Sequence, residues 1–321
     1  MGSDPAPGSP LHLGRRVFPP GQPVIMAIVN RTPDSFFDRG RTYAFGAALD
    51  RVDQVVAEGA PIVDIGGVKA GAGAEVTVAE EVARVVPLVA AVRERYPDLV
   101  ISVDTYRAAA ADPMCRAGAD LINDAWAGWD PRLAEVAARH ATGLVCAHTG
   151  GRLPRTPPRP IAYADVVADV IAAVTALAER AVALGVRPQS ILIDAAHDFG
   201  KDTAQSLELT RRLDEVVATG WPVLVALSRK DFLGDVLGLP ATQRLEGSLA
   251  AATVSAWLGA RVVRAHDVEA TRRALQVVAA LGGQVARTGH RASVKAVKLA
   301  VVAGCQRCGG RVVAGRATEL G

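Results

Sequence analysis

The chain has 321 residues, of which 50% are hydrophobic, 21% are charged and only 4% are aromatic. This length suits a (β/α)₈ barrel, which typically needs about 250 residues, and the apolar fraction excludes a disordered or fibrous chain. Lys and Arg number 36 and Asp and Glu number 33, which gives a net charge of +3. So small an excess excludes a protein that binds nucleic acid or an acidic membrane through its overall charge.

The ends of the chain and its cysteines predict a cytoplasmic protein. The first 22 residues are rich in Pro and Gly where a signal peptide has an apolar stretch, and no apolar run reaches the roughly 18 residues of a membrane-spanning helix. At this length the four cysteines imply no disulfide framework; they are Cys115, Cys146, Cys305 and Cys308. We expect residues 1–22 to form a flexible arm and residues 284–321 to form a disordered tail.

Eight short apolar segments alternate with longer segments of helical period. Continuous apolar runs are typical of parallel strands that are buried on both faces. The eight runs are Val24–Asn30, Ile62–Gly67, Leu99–Thr105, Leu121–Asp124, Leu144–Thr149, Ile191–Ala195, Val223–Ser228 and Arg261–Asp267. The clearest helical segments are Glu80–Arg95, Asp165–Leu184 and Leu245–Trp257.

This alternation predicts an α/β protein, a single-domain (β/α)₈ TIM barrel over residues 23–283. The alternative is a doubly wound open sheet. That fold normally has a glycine-rich phosphate-binding sequence after its first strand, and this chain has none there.

Each predicted strand ends in a polar or ionisable residue. These residues are Asn30, Asp64, Asp104, Asn123, His148, Asp194, Ser228 with Lys230, and Arg264 with His266. Barrel enzymes carry their catalytic residues at this end of the strands. Because loops are polar in general, any one of these positions can be explained without a function. A polar group at every strand end, however, predicts an active site.

The types of residue at these strand ends indicate what could bind. Asp104, Asn123 and Asp194 offer oxygen acceptors and an amide, which suit the edge of a polar heterocycle. The last two loops, where many barrels bind phosphate, carry the basic residues Lys230, Arg264 and His266. The pattern therefore predicts a phosphorylated substrate with a polar heterocycle. A metal bound by Asp and Asn side chains would be a hard ion such as Mg²⁺.

Five motifs, in order, resemble those of the dihydropteroate synthases. They are IMAIVNRTPDSFFDRG (Ile25–Gly40), ISVDT (Ile101–Thr105), LIND (Leu121–Asp124), SRK (Ser228–Lys230) and RAHD (Arg264–Asp267). The resemblance spans roughly residues 24–282. It implies a transferase of folate biosynthesis that joins 6-hydroxymethyl-7,8-dihydropterin pyrophosphate to 4-aminobenzoate and releases pyrophosphate. It also implies Mg²⁺ as cofactor and a homodimer.

The resemblance implies a role for each residue of a pterin pocket. Asp194 would accept hydrogen bonds from the pterin 2-amino group and a ring N–H. Asp104, Asn123 and Lys230 would complete the contacts with the ring. Asn30 would bind Mg²⁺ and the pyrophosphate.

A second group of residues would serve the leaving group and the second substrate. Arg264 and His266 would hold the departing diphosphate, and Ser228 and Phe199 match positions near the aminobenzoate. The expected catalytic residues are Lys230, Arg264 and His266. They would act by electrostatic stabilisation and positioning, without a covalent nucleophile.

The second loop departs from the pattern of the family. The family reads GGESTRPG after the second strand, whereas this chain reads GGVKAGAG over Gly66–Gly73. The altered positions are Val68, Lys69, Ala70 and Gly71. Lys69 stands two positions before the missing Arg, and its ammonium cannot make the planar fork of a guanidinium. We expect the second substrate and the diphosphate to bind more weakly than in the family.

The loop after the sixth strand departs too, because the family's DPGFGFGK is DAAHDFGK over Asp194–Lys201. Asp198 replaces a Gly and is expected to place a carboxylate near the aminobenzoate. Three functions stay open on these differences. They are a dihydropteroate synthase with weakened activity, a pterin transferase with a different second substrate, and a non-catalytic pterin-binding paralogue.

Four further features have structural interpretations. His148 is expected to order a loop, and Asp64 to hold neighbouring loop amides. The segment Arg152–Pro160 is expected to be a solvated linker. The Cys305 and Cys308 pair lacks the second ligand pair of a zinc ribbon, so we expect it to belong to the free tail.

Overall fold

A computed structural model describes residues 9–32, 42–69, 71–156 and 161–282. The described part begins with a short antiparallel hairpin of β1 (Leu11–Leu13) and β2 (Arg16–Phe18). Eight parallel strands then close into a barrel. They are β3 (Val24–Asn30), β4 (Ile62–Gly66), β5 (Val100–Asp104), β6 (Leu121–Asp124), β7 (Gly143–Ala147), β8 (Ile191–Asp194), β9 (Val223–Val225) and β10 (Val262–Ala265).

The order of the strands confirms the predicted (β/α)₈ barrel. Each strand from β3 to β9 pairs with the next one along the chain, and β10 returns to pair with β3. The closing register joins Val262 to Val24 and continues to Ala265 and Ala27. All eight carboxyl ends therefore meet at one end of the barrel, as the sequence pattern predicts for an active site.

Helices connect the strands and cover the barrel. Their bounds are α1 (Phe45–Ala57), α2 (Val78–Arg95), α3 (Ala108–Arg116), α4 (Leu133–His140), α5 (Val166–Ala183), α6 (Thr203–Arg211), α7 (Leu213–Val217), α8 (Asp231–Leu237), α9 (Leu245–Trp257) and α10 (Val268–Leu281). Side-chain caps begin α2, α5 and α6, where Thr77, Asp165 and Asp202 accept from backbone N–H groups of the first turn. None of the helices in the described ranges is long and apolar enough to cross a membrane.

The strand residues alternate between two apolar layers. Outward side chains such as Val63, Ile101 and Ile122 pack with the helices in the larger core. Inward side chains at the amino end of the barrel form a second cluster, to which every strand contributes. Since side chains on a strand alternate with a period of two, the inward row continues toward the carboxyl end as Asp64, Asp104 and other polar residues.

The hairpin corrects the prediction of a flexible arm over residues 1–22. Leu11, Leu13 and Phe18 are buried in the inner cluster and close the amino end of the barrel. Burial of each of the two leucines stabilises the fold by about 1.5–3 kcal/mol, which outweighs the Pro and Gly content around them. Arg261, directly before β10, holds the hairpin against the barrel by donating hydrogen bonds to the carbonyls of Gln22 at 2.6 Å and Phe18 at 3.0 Å. Residues 1–8 and the predicted tail, with Cys305 and Cys308, lie outside the described residues.

Candidate functional site

A buried ion-pair network lies inside the carboxyl end of the barrel. Arg264 of β10 donates from Nε to Asp64 Oδ2 at 2.6 Å and from Nη2 to Asp104 Oδ2 at 3.0 Å. Asp64, which is fully buried, also accepts from Ser102 Oγ at 2.6 Å and from Asn123 Nδ2 at 3.0 Å. Asp64 therefore binds side chains, and not the loop amides that the sequence predicted as its partners. The network thereby fixes Arg264, Asp104 and Asn123 relative to one another.

Burial raises the pKa of Asp104, and the guanidinium of Arg264 opposes that rise. Taking a carboxylate out of water is costly unless a charge or hydrogen bonds compensate it. Asp104 therefore depends on Arg264 for its ionised form. A ligand that offers N–H donors would supply the same compensation.

Asp194 ends β8 and is almost completely buried. Its Oδ1 accepts from the backbone N–H of Ala196 at 2.8 Å. Burial raises the pKa of this carboxyl, while Lys230, Lys201 and Arg264 oppose the rise. A buried carboxylate surrounded by cations suits a ligand with two adjacent N–H donors.

Lys230 stands over the aromatic ring that the sequence assigned to the second substrate. Its Nζ donates to the carbonyl of His197 at 2.8 Å and lies 4.4 Å from the centroid of the Phe199 ring. Burial lowers the pKa of Lys230, and Asp198 and Asp194 oppose this lowering. The ammonium thus lies over the ring of Phe199, the residue predicted to contact the aminobenzoate.

Ser228 and His266 form a pair at the ends of the last two strands. Ser228 Oγ lies 3.0 Å from His266 Nδ1 and accepts from the His266 backbone N–H at 3.2 Å. Burial and the charge of Arg264 lower the pKa of His266 to about 3. Without a ligand His266 is therefore a neutral imidazole, which can take part in a hydrogen bond. Its contact with the departing diphosphate stays a prediction.

Asn30 ends β3 beside Asp104, with Gly66 between them. A Cβ at Gly66 would lie 3.6 Å from Asn30 Oδ1 and 3.6 Å from Asp104 Cβ, so the absence of a side chain keeps this side of the site open. Among the described residues no group of three or more His, Cys, Asp or Glu side chains could hold a metal ion. A magnesium ion here would take most of its ligands from a phosphate and water, as Mg²⁺ commonly does.

The carboxylate of Asp198 contacts the first turn of α8, and its predicted place near the aminobenzoate stays a prediction. Its backbone has a φ of +67°, a conformation that glycine adopts without strain and Asp tolerates. Its Oδ2 accepts from the backbone N–H groups of Asp231 at 2.7 Å and Phe232 at 3.4 Å. The carboxylate thus caps the first turn of α8, whose backbone N–H groups supply its hydrogen bonds.

The neighbouring His197 is a buried, neutral residue. Its Nε2 lies 3.2 Å from Thr210 Oγ1, and its ring stacks on that of Phe232 at 5.8 Å. Burial lowers the pKa of His197 to about 3. His148 has a similar environment: its Nε2 lies 2.7 Å from Asp169 Oδ1 and its pKa is lowered to about 4 by burial. Both histidines order the loops around them.

Arg155 joins the loop after β7 to the altered second loop, which follows β4. It donates from Nη1 to the carbonyls of Lys69 at 2.6 Å and Gly71 at 2.8 Å, and from Nη2 to that of Ala74 at 2.5 Å. A Cβ at Gly73 would lie 2.5 Å from Arg155 Nη2, so a larger residue there would displace the guanidinium. The prediction of a solvated linker over Arg152–Pro160 is therefore wrong for Arg155. Residues 157–160 lie outside the described residues.

Trp126 is a residue of this region that the sequence reasoning missed. It is buried, and its ring meets that of Phe199 edge to face at 5.3 Å. The guanidinium of Arg152 lies 5.7 Å from the centroid of the Trp126 ring. The sequence signal available was a tryptophan two positions after the LIND motif, in a chain with only four tryptophans.

Comparisons with known proteins agree with this geometry. A family model described as "Pterin binding enzyme" matches residues 26–266. The inactive dihydropteroate synthase 2 of Mycobacterium tuberculosis H37Rv is 56% identical over 264 residues, which cover 81% of this chain and 83% of that protein. The dihydropteroate synthase of Haemophilus influenzae is 40% identical over 256 residues, which cover 79% and 92%.

Solved structures show the same likeness in three dimensions. The dihydropteroate synthase of Yersinia pestis, in a sulfonamide complex, superposes with a TM-score of 0.81 at 35% identity over 86% of this chain and 100% of that one. The enzyme of Thermus thermophilus, in complex with 4-aminobenzoate, gives a TM-score of 0.76 at 37% identity over 85% and 100%.

Proposed function

Because the chain belongs to the pterin-binding enzyme family and is a dihydropteroate synthase homologue, we propose that it binds the pterin pyrophosphate strongly and joins it to 4-aminobenzoate only weakly. One observation carries the proposal. The buried Asp194 at the end of β8 and the partly buried Lys230 after the adjacent β9 lie at the same end of the barrel as the network of Asp104, Asn123 and Arg264, whereas the second loop lacks the Thr and Arg of the family.

The pterin would bind by its hydrogen-bonding edge. Asp194 would accept from the 2-amino group and a ring N–H, and Lys230 would donate to the opposite side of the ring. Asp194 is buried and Lys230 is partly buried, and a hydrogen bond with one charged partner is stronger away from water than in it. The same burial makes each group costly to leave unpaired, which favours occupancy of the pocket.

The diphosphate would lie above this pocket. A guanidinium has five N–H donors, and Asp64 and Asp104 receive two of those of Arg264, so further donors remain for phosphate oxygens. We propose that Asn30 supplies one ligand of a Mg²⁺ ion that neutralises charge on the leaving group. Arg264 would stabilise the charge that develops as the carbon–oxygen bond to the diphosphate breaks.

The magnesium proposal has its own test. Titration calorimetry with pterin pyrophosphate, with and without Mg²⁺, should show tighter binding with the ion in the native protein. Asn30→Ala should remove most of that gain while binding the pterin without its diphosphate as before. Equal dependence on Mg²⁺ in both proteins would refute the assignment of Asn30.

The part of the site that would bind the second substrate is the part that departs from the family. Gly71 stands where the family has an arginine, and the backbone carbonyl at this position is used by Arg155. Hydrogen bonds to charged groups contribute about 1.5–3 kcal/mol each, so loss of the Thr and the Arg should slow the reaction roughly 10²–10⁴-fold.

A second candidate is a non-catalytic pterin-binding paralogue. The relatives named inactive dihydropteroate synthase 2 in Mycobacterium tuberculosis and Mycobacterium leprae, both 56% identical, favour it. A coupled assay with pterin pyrophosphate and 4-aminobenzoate separates the two functions. Slow turnover that Asp194→Ala abolishes supports the weak synthase, and tight binding without any turnover supports the paralogue. No binding of the pterin contradicts both.

We further propose that the chain forms a homodimer through α9 and α10. Four large apolar side chains are exposed on these packed helices: Val254, Trp257, Val277 and Leu281. An apolar patch of this kind commonly marks an interface. Light scattering after size exclusion should give a dimer mass for the native protein and a monomer mass for Trp257→Glu. A monomeric native protein would refute the proposal.

A further inference from the structure

Two loops at the pterin pocket hold each other through reciprocal hydrogen bonds. The carboxylate of Asp198 accepts from the first two N–H groups of α8, those of Asp231 and Phe232. In the opposite direction, Lys230 Nζ donates to the carbonyl of His197 at 2.8 Å. Residue 230 lies directly before the helix, so any movement of the first turn of α8 moves the backbone that carries this ammonium.

The carboxylate of Asp198 is itself held in one orientation. Ser206 Oγ donates to its second oxygen, Oδ1, at 3.4 Å and accepts from the Asp198 backbone N–H at 3.2 Å. The φ of +67° turns the side chain toward α8. Where the family has glycine, this chain therefore has a fixed acceptor for the helix that begins after Lys230.

We infer that Asp198 is a positioning residue for Lys230: by capping the first turn of α8 it keeps the Lys230 ammonium on the His197 carbonyl and over the Phe199 ring. That this placement serves a pterin rests on the proposed function. The placement itself rests on the contacts alone.

Charge supports the same assignment. Burial lowers the pKa of Lys230, and the charges of Asp198 and Asp194 oppose this lowering. The carboxylate thus has two separable effects, one as a hydrogen-bond acceptor for the helix and one as a counter-charge for the ammonium.

The chain offers variants that separate these effects. Asp198→Gly removes the acceptor and the charge at a backbone conformation that glycine adopts without strain. Asp198→Asn keeps an acceptor oxygen and loses only the charge. Asp202→Gly is the matched control, because Asp202 caps α6 by accepting from Gln205 N at 2.8 Å and has no contact with α8 among its hydrogen bonds.

Two measurements report the position of Lys230 without any ligand. Hydrogen exchange follows the amides of Asp231 and Phe232, and selective ¹³C labelling of lysine follows the ε-carbon, which is practical in a chain with five lysines. Asp198→Gly should expose both amides to exchange and shift the Lys230 signal. Asp198→Asn should keep the amides protected, and Asp202→Gly should change neither readout.

Titration calorimetry with 6-hydroxymethylpterin then tests the consequence. Asp198→Gly should weaken binding about tenfold, which corresponds to ~1.4 kcal/mol, and Asp198→Asn should restore at least half of that free energy. An unshifted Lys230 signal in Asp198→Gly overturns the inference, and so does equal weakening by Asp202→Gly. If the native protein binds no pterin, the proposed function fails, while the exchange and ¹³C results still decide whether Asp198 positions Lys230.

Discussion

Arg155 Nη1 donates to the backbone carbonyl of Gly71 across 84 residues of sequence, so the loop with the altered motif is held by another loop of the barrel. Together with the bonds to Lys69 and Ala74, this contact gives the second loop three fixed carbonyls without a substrate. In an enzyme, a loop that closes over a substrate must also release it. The strength of this attachment therefore bears directly on turnover.

Arg155→Ala should free the second loop. Three hydrogen bonds from a charged donor are lost, so we expect hydrogen exchange over residues 67–75 to rise at least tenfold, with little change in the barrel strands. Arg139→Ala, which removes an exposed guanidinium from α4, is the control and should leave this exchange unchanged. Unchanged exchange in Arg155→Ala would contradict the attachment.

Restoring the family residues should raise activity. Ala70→Thr combined with Gly71→Arg returns a hydroxyl and a guanidinium that act mainly in the transition state, so kcat/KM should rise at least tenfold with little change in pterin affinity. Steady-state kinetics with 4-aminobenzoate measures the gain. Because Asp198 caps α8, adding Asp198→Gly should give no further gain. If the double variant gains nothing, the weak-synthase proposal fails.

Asp64 and Asp104 should differ in their contributions to stability although both bind Arg264. Asp64 is fully buried and receives three side-chain donors, so Asp64→Ala leaves a partly buried guanidinium and two further donors short of their partner at a cost of about 3–5 kcal/mol. Asp104 is partly exposed, and Asp104→Ala should cost less than half as much. Urea denaturation compares the two variants directly, and equal losses would show that the two carboxylates contribute equally to the stability of the network.

His197 should destabilise the fold as the pH falls. Its pKa is lowered by burial to about 3, against an ordinary value of 6.5, so the unfolded chain takes up its proton first. The contribution of neutral His197 is complete above pH 6.5 and is lost as the pH falls toward 3. Since buried carboxyls titrate in the same range, the comparison is with His197→Gln. Between pH 6 and pH 4 the native protein should lose up to about 1.4 kcal/mol more per pH unit than the variant.

The barrel strands could be predicted because each is a continuous apolar run between polar segments. The eight predicted runs overlap the eight strands, and α9 begins and ends at the predicted residues, Leu245 and Trp257. The hairpin could not be predicted, because its two strands have only three residues each and stand among Pro and Gly residues. Their burial depends on a barrel that forms from distant parts of the chain.

The site was predictable in its residue types and not in their orientations. The polar ends of the strands followed from the period of two that also buries the apolar row below them. The direction of the Asp198 side chain depends on a left-handed backbone, and the neutral state of His266 depends on burial beside Arg264. Neither can be read from neighbouring residues in the sequence.

The hairpin adds a further apolar layer to the amino end of the barrel, opposite the polar ends of the strands. Leu11 and Leu13 are fully buried there beneath the inward apolar side chains, so we expect a ligand of Asp194 to enter past the loops at the carboxyl end. A pterin held by Asp194 would then have to arrive before a ligand bound nearer the loops and leave after it. The fold would thereby set an order of arrival and departure for two ligands, whatever the affinity of either.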